Sequence, residues 1–157
     1  MVAQQDPNYV YGSEPVQGVW TYVGIAQYLT GNLAQAQQTL ERVVSQPQRA
    51  DVARLYLGLT LARLNERQKG LRDIEAGMRG IHNFLDYMNQ AFRYGIGQFY
   101  DPRQAIRSAI EKAQAMIASE NINWPQLLSD GERIGIEIEQ EGDRARKQQL
   151  MDQRDQM

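Results

Sequence analysis

Cysteine is absent from the 157-residue chain. Its absence excludes disulfides, thiolate nucleophiles and every cysteine-ligated metal site. Histidine occurs once, as His82. Without a second imidazole or a thiolate, no first-row transition-metal site is expected, and His82, beside Ile81 on a helix edge, reads as a structural or surface residue. No charge of one sign prevails: 17 Lys and Arg against 19 Asp and Glu leave a net charge of −2. No global basic field therefore points to nucleic acid or to an anionic membrane surface. Long apolar runs are missing too, so no transmembrane segment is expected.

Catalytic patterns are equally scarce. Acid pairs such as Glu137 with Glu141 lie one helical turn apart, which on a charged face is ordinary solvation. Gly95-Ile96-Gly97 lacks the Lys and Ser/Thr of a phosphate loop and follows a helix, not a strand. The chain is expected to be no enzyme and to carry no cofactor. Its composition, 42% hydrophobic and 23% charged, is that of an ordinary globular protein with enough residues for a real core.

What is present is a repeat. Trp20-x-x-Val23-Gly24, then Gly31, Ala36-x-x-x-Leu40 and Pro47 form one unit. Arg54-x-x-Leu57-Gly58, then Asn65 and Gly70-x-x-x-Ile74 form another, and a shift of 34 residues superposes the two. Small residues at such positions let two short helices approach closely, so Gly24 is expected to meet Ala36, and Gly58 to meet Gly70. At this period the pattern resembles the tetratricopeptide repeat, in two copies at about residues 17–50 and 51–84. Departures occur: Gln27 stands where the family has an aromatic residue, Arg54 replaces the Trp, and no Pro closes the second copy.

The fold class read from these patterns is all-α: tetratricopeptide-like hairpins extended by a long helix and a C-terminal helical pair. Residues 1–16, with Pro7, Gly12 and Pro15, read as an extended arm; residues 17–150 as one helical domain; residues 151–157 as a frayed tail. The first helix is expected from about Val16 to Tyr28, closed by a left-handed Gly31, with Asn32 and Gln35 forming a capping box for the second. Apolar residues around much of the third helix predict that it is sandwiched between neighbours. Leu71, Ile74, Met78, Ile81, Leu85, Met88 and Phe92 form one unbroken stripe, a helix of about 26 residues and ~39 Å. Asp101-Pro102-x-Gln104 predicts a fifth helix start, Trp124-Pro125 a sixth, solvated beyond Glu139. The polar opening Val2–Pro7 reads as either a processed end or the remnant of a trimmed tag; on the first reading a periplasmic location of an exported bacterial protein is expected, with the cytoplasm as alternative.

Two site candidates follow. In tetratricopeptide proteins the first helix of each pair lines a concave groove. The resemblance places Thr21, Ile25, Tyr28 and Leu29 there from the first copy, and Leu55, Leu59 and Arg63 from the second. Such an apolar face must be covered by helices five and six, by an amphipathic partner helix, or by a lipid-like molecule. The other candidate is aromatic: Phe84, Tyr87, Phe92, Tyr94, Phe99 and Tyr100 crowd around a glycine-containing loop. It serves either as walls for an apolar ligand or peptide, or as a satellite core that locks the loop. The expected function is non-catalytic: an adaptor docking a protein or peptide segment in the groove. The alternative is a carrier of a lipid- or sterol-like molecule in a bacterial transport system.

Overall fold

The computed structural model describes residues 18–48 and 50–157. Among them the chain forms six α-helices and no strand: α1 (Val19–Leu29), α2 (Leu33–Val44), α3 (Asp51–Arg63), α4 (Arg67–Ala91), α5 (Ala105–Ala118) and α6 (Trp124–Asp155). A 3-10 turn, Ile96–Phe99, joins α4 to the segment before α5. The protein is all-α, as the periodicity predicts. The arm expected at residues 1–16 lies outside the described residues.

The 34-residue repeat reappears in the backbone. Gly31 and Asn65 are both left-handed, with φ of 82° and 65°. After α1, the Asn32 amide donates to the Gln27 carbonyl at 2.8 Å and Gly31 to Tyr28 at 3.1 Å. After α3, Glu66 donates to Leu61 at 2.9 Å and Asn65 to Ala62 at 3.2 Å. This paired reversal satisfies the last carbonyls of each helix, and it occurs twice at the period of the repeat. The capping box expected at Asn32 does not form. Asn32 has φ −81° and ψ 66°, outside the extended range an N-cap side chain needs, and its Nδ2 donates to Thr30 Oγ1 at 3.3 Å instead.

Small residues set the crossing of the second hairpin. A methyl group at Gly70 would lie 2.6 Å from the Gly58 carbonyl oxygen and 2.8 Å from the Ala62 nitrogen. One at Gly77 would lie 2.6 Å from the Leu55 nitrogen, and one at Gly80 would overlap the Asp51 carboxylate. Each glycine costs about 1 kcal/mol in a helix interior. At Gly70 and Gly77 the loss is offset by letting two backbones touch. The first hairpin differs from expectation. Gly24 receives the side chain of Leu40, whose Cδ2 would be 2.5 Å from an added methyl, and not Ala36.

Every residue of α3 from Val52 to Ala62 except Arg54 is buried, because α1, α2, α4 and α6 all pack on it. The long α4 spans 25 residues, and its second half receives α5 and the 3-10 turn.

Two expectations fail in the C-terminal half. Helix α5 begins at Ala105, not at Asp101. Asp101 and Gln104 are left-handed, with φ of 43° and 58°, and two such residues break a helical path. Asp101 still caps α5 from outside it: its carboxylate accepts from the amides of Ile106 at 2.9 Å and Arg107 at 3.1 Å. Nor does α6 become solvated directly after Glu139, but only beyond Ala145. Glu141, Gly142 and Ala145 are buried and the helix runs on to Asp155, because the 3-10 turn packs over it and the Asp101 amide donates to Glu141 Oε1 at 2.9 Å.

Candidate functional site

The first helices of the two hairpins, α1 and α3, share a face, and α6 lies on it. Two glycines one turn apart make the seat. A methyl at Gly131 would lie 2.7 Å from Leu59 Cδ2, and one at Gly135 would lie 2.7 Å from Cε2 of the Tyr56 ring. Between them Glu132 accepts a 2.5 Å hydrogen bond from the Tyr28 hydroxyl. The Tyr28 and Tyr56 rings meet edge to face with centroids 5.6 Å apart. Arg63 stacks over Tyr28 with its Cζ 4.9 Å from the ring centroid.

The electrostatics of this face are set by burial. Burial pushes the Tyr28 hydroxyl above the usual tyrosine range, and the hydrogen bond to Glu132 pushes it the same way. Burial also raises Tyr56, with the charges of Glu139 and Glu132 adding to it. Glu139 itself is raised by burial. The Tyr56 hydroxyl is buried and has no hydrogen-bond partner among the described residues.

The residues expected to line a groove divide. Thr21, Ile25, Tyr28, Leu55 and Leu59 are buried. Leu29 is 57% exposed, and Arg63 is exposed at the rim. Leu55 belongs to the α4 side of α3, where its backbone meets Gly77. Two contributors escaped the repeat alignment: Tyr56, one position from Leu55, and the α6 set of Gly131, Glu132, Gly135 and Glu139. The signal for the latter was the Gly-x-x-x-Gly spacing within an otherwise ordinary helix.

The aromatic group also divides. Phe84 and Tyr100 are buried and meet edge to face at 5.8 Å. Tyr87 and Phe92 meet likewise at 5.9 Å but are exposed. Tyr94 is 88% exposed beneath the Arg93 guanidinium, whose Cζ is 5.0 Å from its ring centroid. Phe99 is half-buried against the core. The turn that carries them is tied down. Asn89 Nδ2 donates to the carbonyls of Gly97 at 2.7 Å and Tyr100 at 2.9 Å. Gly97 packs against the Met88 carbonyl so closely that no Cβ would fit, and Arg144 donates to the Phe99 carbonyl.

An ionic network, buried at Asp101 and Arg107 and exposed at Asp86 and Glu111, braces α4 to α5. Arg107 donates from Nε to Asp101 at 3.0 Å and from NH1 to Asp86 at 3.0 Å. His82 faces carboxylates with both ring nitrogens, Asp86 at 3.3 Å and Glu111 at 3.1 Å. Beside the network lies an open cleft of about 550 Å³, flanked by Phe99, Arg103, Glu137 and Arg144. Among the described residues no three His, Asp or Glu side chains cluster as a metal site, and no helix is long and apolar enough to cross a membrane.

In comparisons with known proteins, no family model, no curated protein and no solved structure matches the chain.

Proposed function

We propose that this chain is a non-catalytic, tetratricopeptide-like adaptor that holds a helical segment of a partner protein at the rim of the face shared by α1 and α3, beside α6. The observation that carries the reading is the seating of α6. A helix lies there on two glycines, against Leu59 and Tyr56, with an acidic side chain received by the Tyr28 hydroxyl. That is helix-in-groove recognition, performed within one chain. The proposal extends it to a partner segment at the rim, where Leu29 and Arg63 remain exposed. The repeat of chain reversals at Gly31 and Asn65 supports the tetratricopeptide-like build. The alternative of a lipid or sterol carrier draws no support from the cleft beside the ionic network, which is open and flanked by charged side chains.

The test is a photo-reactive residue placed at Leu29 and irradiated in the source cells. A reproducible adduct with one protein, mapped to an amphipathic helix and lost when Arg63 is changed to Glu, is the expected result. Adducts that scatter over abundant proteins, or that persist after Arg63→Glu, refute the adaptor.

A further inference from the structure

The last buried residue of α6 is Ala145, yet the helix continues to Asp155. On this last part Leu150 is 61% and Met151 55% exposed. Lys147, Leu150, Met151 and Arg154 are spaced i, i+3, i+4, i+7, so they share one helical face, and they line an open cleft of about 530 Å³. The face is an apolar pair with a cation one turn before it and another one turn after.

Those cations differ from the other arginines of α6. Arg133 pairs with Asp130, Arg144 with Glu141 and Arg146 with Asp143. Lys147 and Arg154 take part in no ion pair among the described residues, although acids are plentiful on the same helix. Local pairing has satisfied its neighbours and left these two cations without an acidic partner among the described residues.

Three occupants suit an exposed apolar pair. A second copy is disfavoured by symmetry. In a two-fold antiparallel pairing centred on Leu150 and Met151, Lys147 meets Arg154 of the other copy, and in a parallel one each cation meets itself. A membrane is disfavoured by area and charge. Two apolar side chains do not make the broad face of an interfacial helix, and Asp143, Asp152 and Asp155 sit beside the two cations. An acidic helix satisfies both halves of the pattern. We propose that the Lys147–Arg154 face of α6 docks an amphipathic helix of another protein whose apolar residues are bracketed by Asp or Glu. This surface is distinct from the α1–α3 face, and the proposal stands independently of the adaptor reading.

A fluorescein-labelled synthetic helix of repeated pattern Glu-x-x-Leu-Leu-x-x-Glu, titrated with the full chain, tests it by anisotropy. Saturable binding is expected, weakened at least about tenfold, or ~1.4 kcal/mol, by Leu150→Asp. The double change Lys147→Glu with Arg154→Glu should abolish binding of this peptide and confer binding of its Lys-bracketed counterpart. All four positions are exposed, so the variants should keep the parent helicity and melting temperature. The charge-swap rescue separates a lost surface from a lost fold. Equal binding of a scrambled peptide, or no saturation up to ~1 mM, overturns the proposal. So does Leu150-dependent dimerisation on sedimentation, or retention on phosphatidylserine vesicles in place of the peptide.

Discussion

Two tyrosines on the α6-covered face should respond with opposite sign to the same deletion. Tyr28 and Tyr56 are both fully buried and in ring contact. The Tyr28 hydroxyl donates to Glu132 at 2.5 Å, whereas the Tyr56 hydroxyl has no partner among the described residues. Changing either to Phe keeps the apolar area and removes one oxygen. A buried polar group left unsatisfied costs about 1–3 kcal/mol, so Tyr56→Phe should stabilise the protein by about 1 kcal/mol or more. A hydrogen bond to a charged group contributes ~1.5–3 kcal/mol. Glu132 is only half-buried and regains water when its donor goes, so Tyr28→Phe should cost about 1–2 kcal/mol, near the lower end of that range. In a chain of this length each kcal/mol moves the melting temperature by about 2–4 °C. Calorimetry and urea unfolding measure both variants, with an unchanged m-value confirming that stability alone has moved. If Tyr56→Phe lowers stability by as much as Tyr28→Phe, the Tyr56 hydroxyl has a partner and the account of how α6 is seated is wrong.

Other expectations are sharp enough to check by the same methods. Gly70→Ala should lose about 2 kcal/mol in spite of a helix-propensity gain near 1, because the added methyl meets backbone atoms of Gly58 and Ala62. At Gly80 the nearest atoms belong to the Asp51 carboxylate, a side chain that can shift, so Gly80→Ala should lose less than Gly70→Ala, and similar losses from both would sink the distinction. Glu139 is raised by burial, so the folded chain holds a proton that the unfolded chain releases earlier. Its contribution to stability therefore falls as pH rises from the ordinary glutamate range through the raised folded value, and Glu139→Gln should flatten that slope in urea midpoints taken from about pH 4 to 8. Asp101→Ala removes the cap of α5 and takes from the buried Arg107 one of its two carboxylates, leaving Asp86. A loss of about 3–5 kcal/mol is expected, and a loss below about 1 kcal/mol would show that Asp86 alone satisfies that guanidinium.

Much of the fold could be read from the chain because it is written in short-range spacing. Gly31 and Asn65 announce their reversals through the two residue types that best tolerate a left-handed backbone. Gly58 and Gly70 announce their contact because both helices belong to one hairpin. The long stripe on α4 carries its own period. What spacing did not reveal is long-range. Nothing near Gly24 says that Leu40 fills the gap beside it. The destination of α6 depends on matching Gly131 and Gly135 to side chains more than seventy residues earlier. Tyr56 was overlooked because a helix buried on every side has no face that singles out one residue. The start of α5 was misplaced since the capping pattern at Asp101 is genuine chemistry delivered by an unexpected backbone. The aromatic group looked like one cluster because six rings are close in sequence, but Asn89 and Gly97 fold the turn so that only Phe84 and Tyr100 are buried and Phe99 half-buried.

The central position of α3 has a consequence for how the protein is made. Its contacts with α2 and α4 are local and form quickly, since little chain must be searched to bring them together. Its contact with α6 closes a loop of 72 residues between Leu59 and Gly131. During synthesis, at about 5–20 residues per second, the two hairpins leave the ribosome several seconds before their cover exists. For that interval Leu59 and the two tyrosines form an apolar surface on an otherwise finished structure. A nascent chain stalled there offers a chaperone its best target, and an α6 that arrives late, or from a neighbouring chain, finds the same surface open.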